Sequence, residues 1–389
     1  MTTYLDYQAS KPVDGEVFEA MKPYFQGKFA NASSLHSDGD IATKALAESR
    51  KKIAKFINAE KDNEIIFTSG ATESNNLAII GYAMRNRKKG KHIIISEIEH
   101  ISIHNIAKYL QRNGFEVSKV PVDFYGVVRL DKLKEKIRDD TILISIQYAN
   151  NEIGTIHPVA DIGNFAKEHK IAFHTDAVSA EGQIPIDVVK DQIDLMTISS
   201  NDIYGPRGLG VLYIKKGIYV NPLIIGGGQE RGIRSGTEDI ASIVGMAKAA
   251  ELAQENMELE SKRLGELRDI LIKNILEKIP KSHLNGHPKI RLPNNAHFRF
   301  DYIEGESLLL SLKDEGISIA SGSACTSKTL EPSHTLIATG LTHEEAHGSL
   351  EVTMGRWTNR EDIDKLIEVL PNIVERLRKL SPLAEKEVD

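Results

Sequence analysis

Several short stretches of this chain have the residue types and spacing that chemistry needs. The first runs Asp194-Leu-Met-Thr-Ile-Ser-Ser-Asn-Asp-Ile-Tyr-Gly-Pro-Arg-Gly-Leu-Gly210. It reads as an apolar strand, a polar break and a glycine loop. α/β enzymes often present a reactive side chain at such a place. The tip of the break is Asn201-Asp202. Thr68-Ser-Gly-Ala-Thr-Glu-Ser-Asn75 joins a strand to a helix, where small residues let backbone N–H groups approach an anion. The same letters also read as a plain N-cap by Thr72 with Glu73 on the helix dipole. His174-Thr-Asp176 ends an apolar strand in a carboxylate that can pair with a protonated ring nitrogen or bind metal, or simply sit in a loop. Asn150-Asn-Glu-Ile-Gly154 and Glu99-His100 close equivalent strands, so these groups together make one polar rim.

Two further patterns point elsewhere. Ser321-Gly-Ser-Ala-Cys-Thr-Ser327 sets the single cysteine, Cys325, in a Ser/Gly run that cannot pack a core, so a reachable thiol is expected. His343-Glu-Glu-Ala-His347 has the H-E-x-x-H spacing of zinc proteases. Thr342 would cap a helix starting there, no glycine-spaced third histidine follows, and the match is expected to be chance. His100 and His104 share the i,i+4 spacing with the same standing.

These residues need a framework that brings strand ends together. Strands are expected over 64–68, 92–96, 115–122, 141–148, 171–176, 195–199 and 210–214. Helices are expected over 14–25, 41–57 (capped by Asp40), 73–87, from 102, over 130–137 and over 159–169. Ile93-Ile-Ile95 and Ile142-Leu-Ile144 are apolar on both faces, the signature of a mainly parallel sheet covered by helices. A long helix over about 239–276 then leads to a smaller α+β part with strands near 297–300, 317–320 and 350–354. Its last helix opens with a capping box, Thr358-Asn-Arg-Glu361, and Pro371 should kink or divide it. The expected division is a large domain over 13–258, and a small domain from 1–12 and 259–389 that carries the Cys325 loop.

The 389 residues are too many for one ordinary core. A net charge of −6 without a polybasic run gives nucleic acid no footing. No apolar run approaches the ~20 residues of a membrane span, and the first residues lack a basic and then apolar leader, so a cytoplasmic protein is expected. One cysteine makes neither an internal disulfide nor a Cys-rich metal site within one chain.

Taken in order, the motifs resemble the cysteine desulfurases of the NifS/IscS type, within the class V aminotransferase-like, fold-type I pyridoxal-phosphate proteins. The resemblance runs essentially end to end. It is carried by Tyr4-Leu-Asp-Tyr7, Phe67-Thr-Ser-Gly-Ala-Thr-Glu-Ser74, Asn150-Asn-Glu-Ile-Gly154, His174-Thr-Asp-Ala177, Ile203-Tyr-Gly-Pro-Arg-Gly208, Gly226-Gly-Gly-Gln-Glu-Arg-Gly232, Arg234-Ser-Gly-Thr237, Glu304-Gly-Glu306 and Ser321-Gly-Ser-Ala-Cys325. It implies an α/β fold with a mainly parallel seven-stranded sheet and a smaller α+β C-terminal domain. It also implies a homodimer, L-cysteine as substrate and an IscU-type iron–sulfur scaffold protein as partner. Residue by residue, it implies that Ala71, Thr72 and Ser199 contact the cofactor phosphate. His100 would stack on the pyridine ring, Asn151 contact the ring hydroxyl and Asp176 pair with the ring nitrogen. Thr237 would reach the phosphate across the dimer interface. Cys325 would take substrate sulfur as a persulfide.

The chain departs from the family pattern at several positions. The family's Ser-Gly-His-Lys before Ile-Tyr-Gly-Pro is here Ser199-Ser-Asn-Asp202, so Asp202 stands for the Schiff-base lysine and Asn201 for its histidine neighbour. Ser179 stands for a glutamine. Glu351 stands for the arginine that holds the substrate carboxylate, and Arg356 matches a different family arginine. A lysine holds the cofactor, makes a reactive imine and moves the Cα proton. Asp202 can do only the last, and it adds an anion near Asp176. The expectation is therefore pyridoxal phosphate bound noncovalently at best or not at all, with desulfurase activity weak or lost. Cys325 would serve as persulfide carrier or as ligand of an iron–sulfur cluster shared with a partner. Two alternatives stand beside it. One is an active desulfurase using noncovalent cofactor with Asp202 as base. The other is a non-catalytic structural partner of an active paralogue.

Overall fold

The computed structural model describes residues 2–321 and 332–382. After a short strand β1 (Thr3–Tyr4), seven strands form one sheet: β2 (Ile65–Thr68), β3 (His92–Ser96), β4 (Glu116–Val120), β5 (Thr141–Ser145), β6 (Ala172–Asp176), β7 (Leu195–Ser199) and β8 (Gly210–Ile214). Their order is β2-β8-β7-β6-β5-β3-β4. β8 runs antiparallel to both neighbours, and the other pairs are parallel. The cause is the connection: the loop from β7 to β8 is too short for the crossover that a parallel pair requires.

Alternate residues of each strand face opposite sides, and both sides are covered. Ile94, Ile144, Phe173 and Met196 pack with Val17, Met21, Ile53, Ile243 and Met246 on one face. Ile93, Ile95, Leu143 and Leu195 pack with Leu77, Tyr82, Ile103, Ile106 and Leu110 on the other. The helix Ile240–Lys278 joins this body to the rest. Its first half lies in the large core, and Leu264, Leu267, Leu271 and Ile275 lie in a second core. That second core sits on a three-stranded antiparallel sheet of β9 (Ser282–Asn285), β10 (Asn295–Phe300) and, after β11 (Ile317–Ser318), β12 (Ser349–Thr353). β11 pairs in parallel with β1, which returns the N-terminal segment to this part of the molecule.

The mainly parallel seven-stranded sheet with a smaller α+β part is the expected architecture. Local boundaries differ for visible reasons. The helix expected to start at 41 spans Ser37–Phe56, because His36 and not Asp40 caps it through the Gly39 N–H. The run expected over 73–87 starts at Ala71 and contains a π turn, Leu77–Gly81. The last helix, Arg360–Leu380, is capped by Asn359 with Asp362, because the Thr358 hydroxyl instead accepts the Gly355 N–H. Pro371 does not divide it: one lost hydrogen bond is outweighed by the buried face of Leu366, Ile367, Leu370, Ile373 and Val374. β9 was not anticipated, since Ser282-His-Leu-Asn285 carries too little apolar signal. Among the described residues no helix is long and apolar enough to cross a membrane.

Candidate functional site

In the sheet order, the crossovers run one way from β3 to β4 and the other way from β5 to β7. The crevice outside the carboxyl ends of β3 and β5 is where ligands bind in such sheets. A cavity of about 300 Å³ lies there. Its walls include Ala71, Thr72, His100, Asn151, Asp176 and Ser179. Asn201, Asp202 and Glu351 complete the set of expected site residues that line it. Segments spread over most of the chain thus converge on one space.

The phosphate-cup segment is shaped by backbone contact. Gly70 has φ +141°, and a Cβ at Gly210 on β8 would lie 2.6 Å from the Gly70 carbonyl carbon, so strand and turn meet without side chains between them. Thr68 Oγ1 and Ser74 Oγ lie 2.7 Å apart, and Glu73 accepts from the Ser69 N–H at 2.6 Å while pairing with Arg234 at 2.9 Å. The Arg234 bond ties the loop that carries Thr237 to this turn. Thr237 itself is exposed and lies outside the cavity walls.

A polar chain crosses the cavity floor. Asn75 donates to Asp176 Oδ2 at 2.7 Å and approaches Ser102 Oγ at 3.2 Å. The Val178 N–H donates to Asp176 Oδ1 at 3.1 Å. The N–H of Ser102 donates to His100 Nδ1 at 3.2 Å, which leaves the proton of a neutral imidazole on Nε2. Beneath His100, buried Glu99 accepts from Ser96 Oγ at 2.5 Å and from the Gln147 N–H at 3.0 Å. Burial pushes the Glu99 carboxyl up to about 8, against those two donors.

Asn201 and Asp202 stand on a single 3-10 turn, Asn201–Ile203, directly after β7. Asp202 is buried, and the Ser199 hydroxyl hydrogen-bonds its carboxylate. Ser199 is therefore placed behind Asp202 and is not among the cavity walls. Burial raises the Asp202 carboxyl and the neighbouring Lys11 ammonium draws it back down. Lys11 is buried as well, and its Nζ donates to the Asp202 carbonyl at 2.5 Å. At the opposite end Glu351, on β12 across from His297, is buried and its Oε1 has no hydrogen-bond partner. Burial, then Glu152 and Asp6, push its carboxyl well above the usual range.

Cys325 lies outside the described residues. The residues that flank its loop reach the site: Ala320 lines the cavity, Ser333 donates to Glu152 at 2.6 Å, and His334 Nε2 lies 2.9 Å from the Glu99 carbonyl. The H-E-x-x-H segment forms one capped turn, His343–His347, as expected from Thr342. Among the described residues no group of three or more ligating side chains could hold a metal. Gln8, which donates to Ser179 at 3.2 Å, and Lys11 come from the N-terminal segment and were missed. Their only signal is contact across the fold. Asn75 was inside a quoted motif, but its role shows only through Asp176.

The chain matches the Aminotransferase class-V family over residues 3–366. It is 56% identical over 380 residues to "Cysteine desulfurase IscS 1" of Archaeoglobus fulgidus, covering 98% of this chain and 99% of that one. This chain belongs to the cysteine desulfurase family of the IscS/NifS type. "Cysteine desulfurase IscS" of Methanosarcina thermophila is 53% identical, with 99% of this chain and 95% of that one covered. Among solved structures, a "NIFS-LIKE PROTEIN" superposes with a TM-score of 0.91 at 35% identity, covering 97% of this chain and 100% of that one. Pyridoxal phosphate is the cofactor of this family.

Proposed function

We propose that this chain is an IscS-type protein of iron–sulfur cluster assembly that handles sulfur through Cys325 and has weak or lost cysteine desulfurase activity. It acts as a homodimer with a scaffold protein of the IscU type, and the small domain built from 1–12 and 259–389 carries the sulfur-bearing loop. The observation that carries this reading is the residue on the strand-end turn. Asp202 points this turn's chemistry at the cavity, and no lysine or arginine is among the described residues that line it.

The residues present fit noncovalent pyridoxal phosphate. Asp176, held by Asn75 and the Val178 N–H, keeps a lone pair for a protonated ring nitrogen. Ala71 and Thr72 offer the turn beside Gly70 to the phosphate, with Ser199 behind and Thr237 reaching in from the partner subunit. His100 would cover the ring, and Asn151, Ser179 and Asn201 lie around its edge. When bound, the cofactor supplies an electron sink for charge developing at Cα. A carboxylate cannot hold its aldehyde covalently, so Asp202 is limited to taking or giving a proton. Glu351, buried with its Oε1 unpartnered, offers no positive charge to a substrate carboxylate.

Purified protein given pyridoxal phosphate and L-cysteine should release negligible sulfide. Turnover at the rate of an ordinary family member refutes the reading. A second reading, an active enzyme using noncovalent cofactor with Asp202 as base, is favoured only by the placement of Asp202 in the cavity wall. It predicts sulfide release that Asp202→Asn abolishes.

A further inference from the structure

Lys11 is a buried cation with no part in the reading above. It follows the segment Asp6, Gln8 and Ala9, all of which line the cavity. That segment is pinned at each step: the Gln8 N–H donates to Thr353 Oγ1 at 2.9 Å, Gln8 Nε2 to Ser179 at 3.2 Å, and Ser10 Oγ and the Lys11 N–H to Asn201 Oδ1 at 3.4 Å. The Lys11 side chain then runs under the Asn201–Ile203 turn. Its Nζ donates to the Asp202 carbonyl and stands 5.2 Å from the centroid of the Tyr204 ring. The charged groups that act on it are Asp202, Glu181 and Glu260, with Arg356 opposing. Arg356 is already committed to Asp14 at 2.7 Å and Glu260 at 2.6 Å. Glu181 is fully buried, accepts the Ser199 N–H at 2.6 Å and leaves its Oε2 without a partner.

The Lys11 ammonium is thus fixed on the backbone of the turn that carries Asp202, with the buried carboxylates of Asp202 and Glu181 as the nearest opposite charges acting on it. Burial disfavours the charge on each of the three groups; Asp202 adds to the penalty at Glu181, while Lys11 and hydrogen bonds from Ser199 and Asn201 oppose it. Four carboxylates line the cavity itself, Asp6, Asp176, Asp202 and Glu351, and among the described residues no lysine or arginine does.

We propose that Lys11 is the positioning cation of the cavity floor: it holds the Asn201–Ile203 turn through the Asp202 carbonyl and sets one positive charge beneath the acids there, and so lets an acid-lined cavity keep affinity for a phosphorylated, anionic ligand. This rests on the reading that pyridoxal phosphate binds here without a covalent link. It adds a residue that carries no chemistry itself and sets the field in which the ligand sits.

A four-member cycle tests it: the natural chain, Lys11→Met, Asp202→Asn and the double variant, with Lys11→Arg as the conservative change. In denaturant titrations at pH 7, Lys11→Met lowers the midpoint, and adding Asp202→Asn recovers part of the loss. Additive effects overturn the proposal, whether or not cofactor binds. In titrations with pyridoxal phosphate, Lys11→Met weakens binding about tenfold. Its affinity also falls more steeply with rising pH, as Asp202 and Glu181 ionise without a counterion, and Lys11→Arg retains most of the affinity. Equal affinity and an unchanged pH profile in Lys11→Met overturn it. Failure of the natural chain to bind pyridoxal phosphate overturns the cofactor reading, while the stability cycle still decides the role of Lys11. Borohydride reduction of the loaded protein leaves residue 11 unlabelled. A phosphopyridoxyl group on Lys11 would show the amine to be a nucleophile and overturn its assignment as a positioning cation.

Discussion

Replacing Glu99 with glutamine should change how the stability of this protein depends on pH, in a direction the geometry dictates. Glu99 is fully buried, and its Oε1 accepts from Ser96 Oγ at 2.5 Å and the Gln147 N–H at 3.0 Å while Oε2 has no partner. Burial is the largest influence and holds the folded-state pKa at about 8, against 4.5 for the free group. The folded protein thus keeps this proton up to about pH 8, whereas the unfolded chain gives it up near 4.5. Unfolding releases a proton throughout that window, so stability falls as pH rises across it and levels off above about 8. At 1.36 kcal/mol per pH unit, the full loss is about 5 kcal/mol. In Glu99→Gln the amide oxygen keeps both donors, and the amide nitrogen takes the place of the unpartnered oxygen at a cost of about 1–3 kcal/mol. The variant should be the less stable protein at pH 5 and the more stable one at pH 8.5. Guanidinium titrations at half-unit intervals of pH measure both curves. Curves that run parallel from pH 5 to 8.5 would show that Glu99 ionises normally and refute the reasoning.

Other outcomes follow from the same geometry. Asp202→Lys, made together with Lys11→Met to avoid two adjacent ammonium groups, should capture pyridoxal phosphate covalently, read as a borohydride-stable label on residue 202. Capture without sulfide release would put the remaining defect at Glu351. Cys325→Ser should abolish transfer of labelled sulfur to a scaffold protein while leaving the thermal midpoint unchanged. Asn75→Ala removes the donor to Asp176 Oδ2 and should weaken cofactor binding several-fold with intact folding, checked by titration beside circular dichroism. Gly355→Ala would place a Cβ 2.2 Å from the ring of buried Tyr7 and should cost about 1–3 kcal/mol, read as a lower denaturation midpoint.

Much of the framework could be read from sequence because the strands are apolar on both faces, and a doubly covered strand such as Ile93-Ile-Ile95 leaves a strong mark. The polar rim could be read because strand ends in such a sheet converge, and Asp176, His100 and Asn151 all end strands or follow them. Boundaries that depend on one cap against another could not: His36 outcompetes Asp40, and Asn359 outcompetes Thr358, through side-chain hydrogen bonds a few residues long. Polar β9 could not be read either, since its place in the sheet comes from β10 beside it. Lys11 and Gln8 escaped for a different reason. Each meets its partner across more than 170 positions, and a lysine before a proline near the start of a chain carries no local mark.

The contact between Lys11 and Asp202 also constrains how such a chain can change over generations. The ammonium is held by the Asp202 carbonyl, which any residue at 202 would supply, so it is the loss of Lys11, 191 positions away, that leaves this buried turn without its donor. A lysine introduced at 202 would meet an ammonium already in place beneath it. With Lys11 in place, a lysine at 202 is opposed by like charge in a buried site, so a covalent cofactor link at that position calls for both residues to change together.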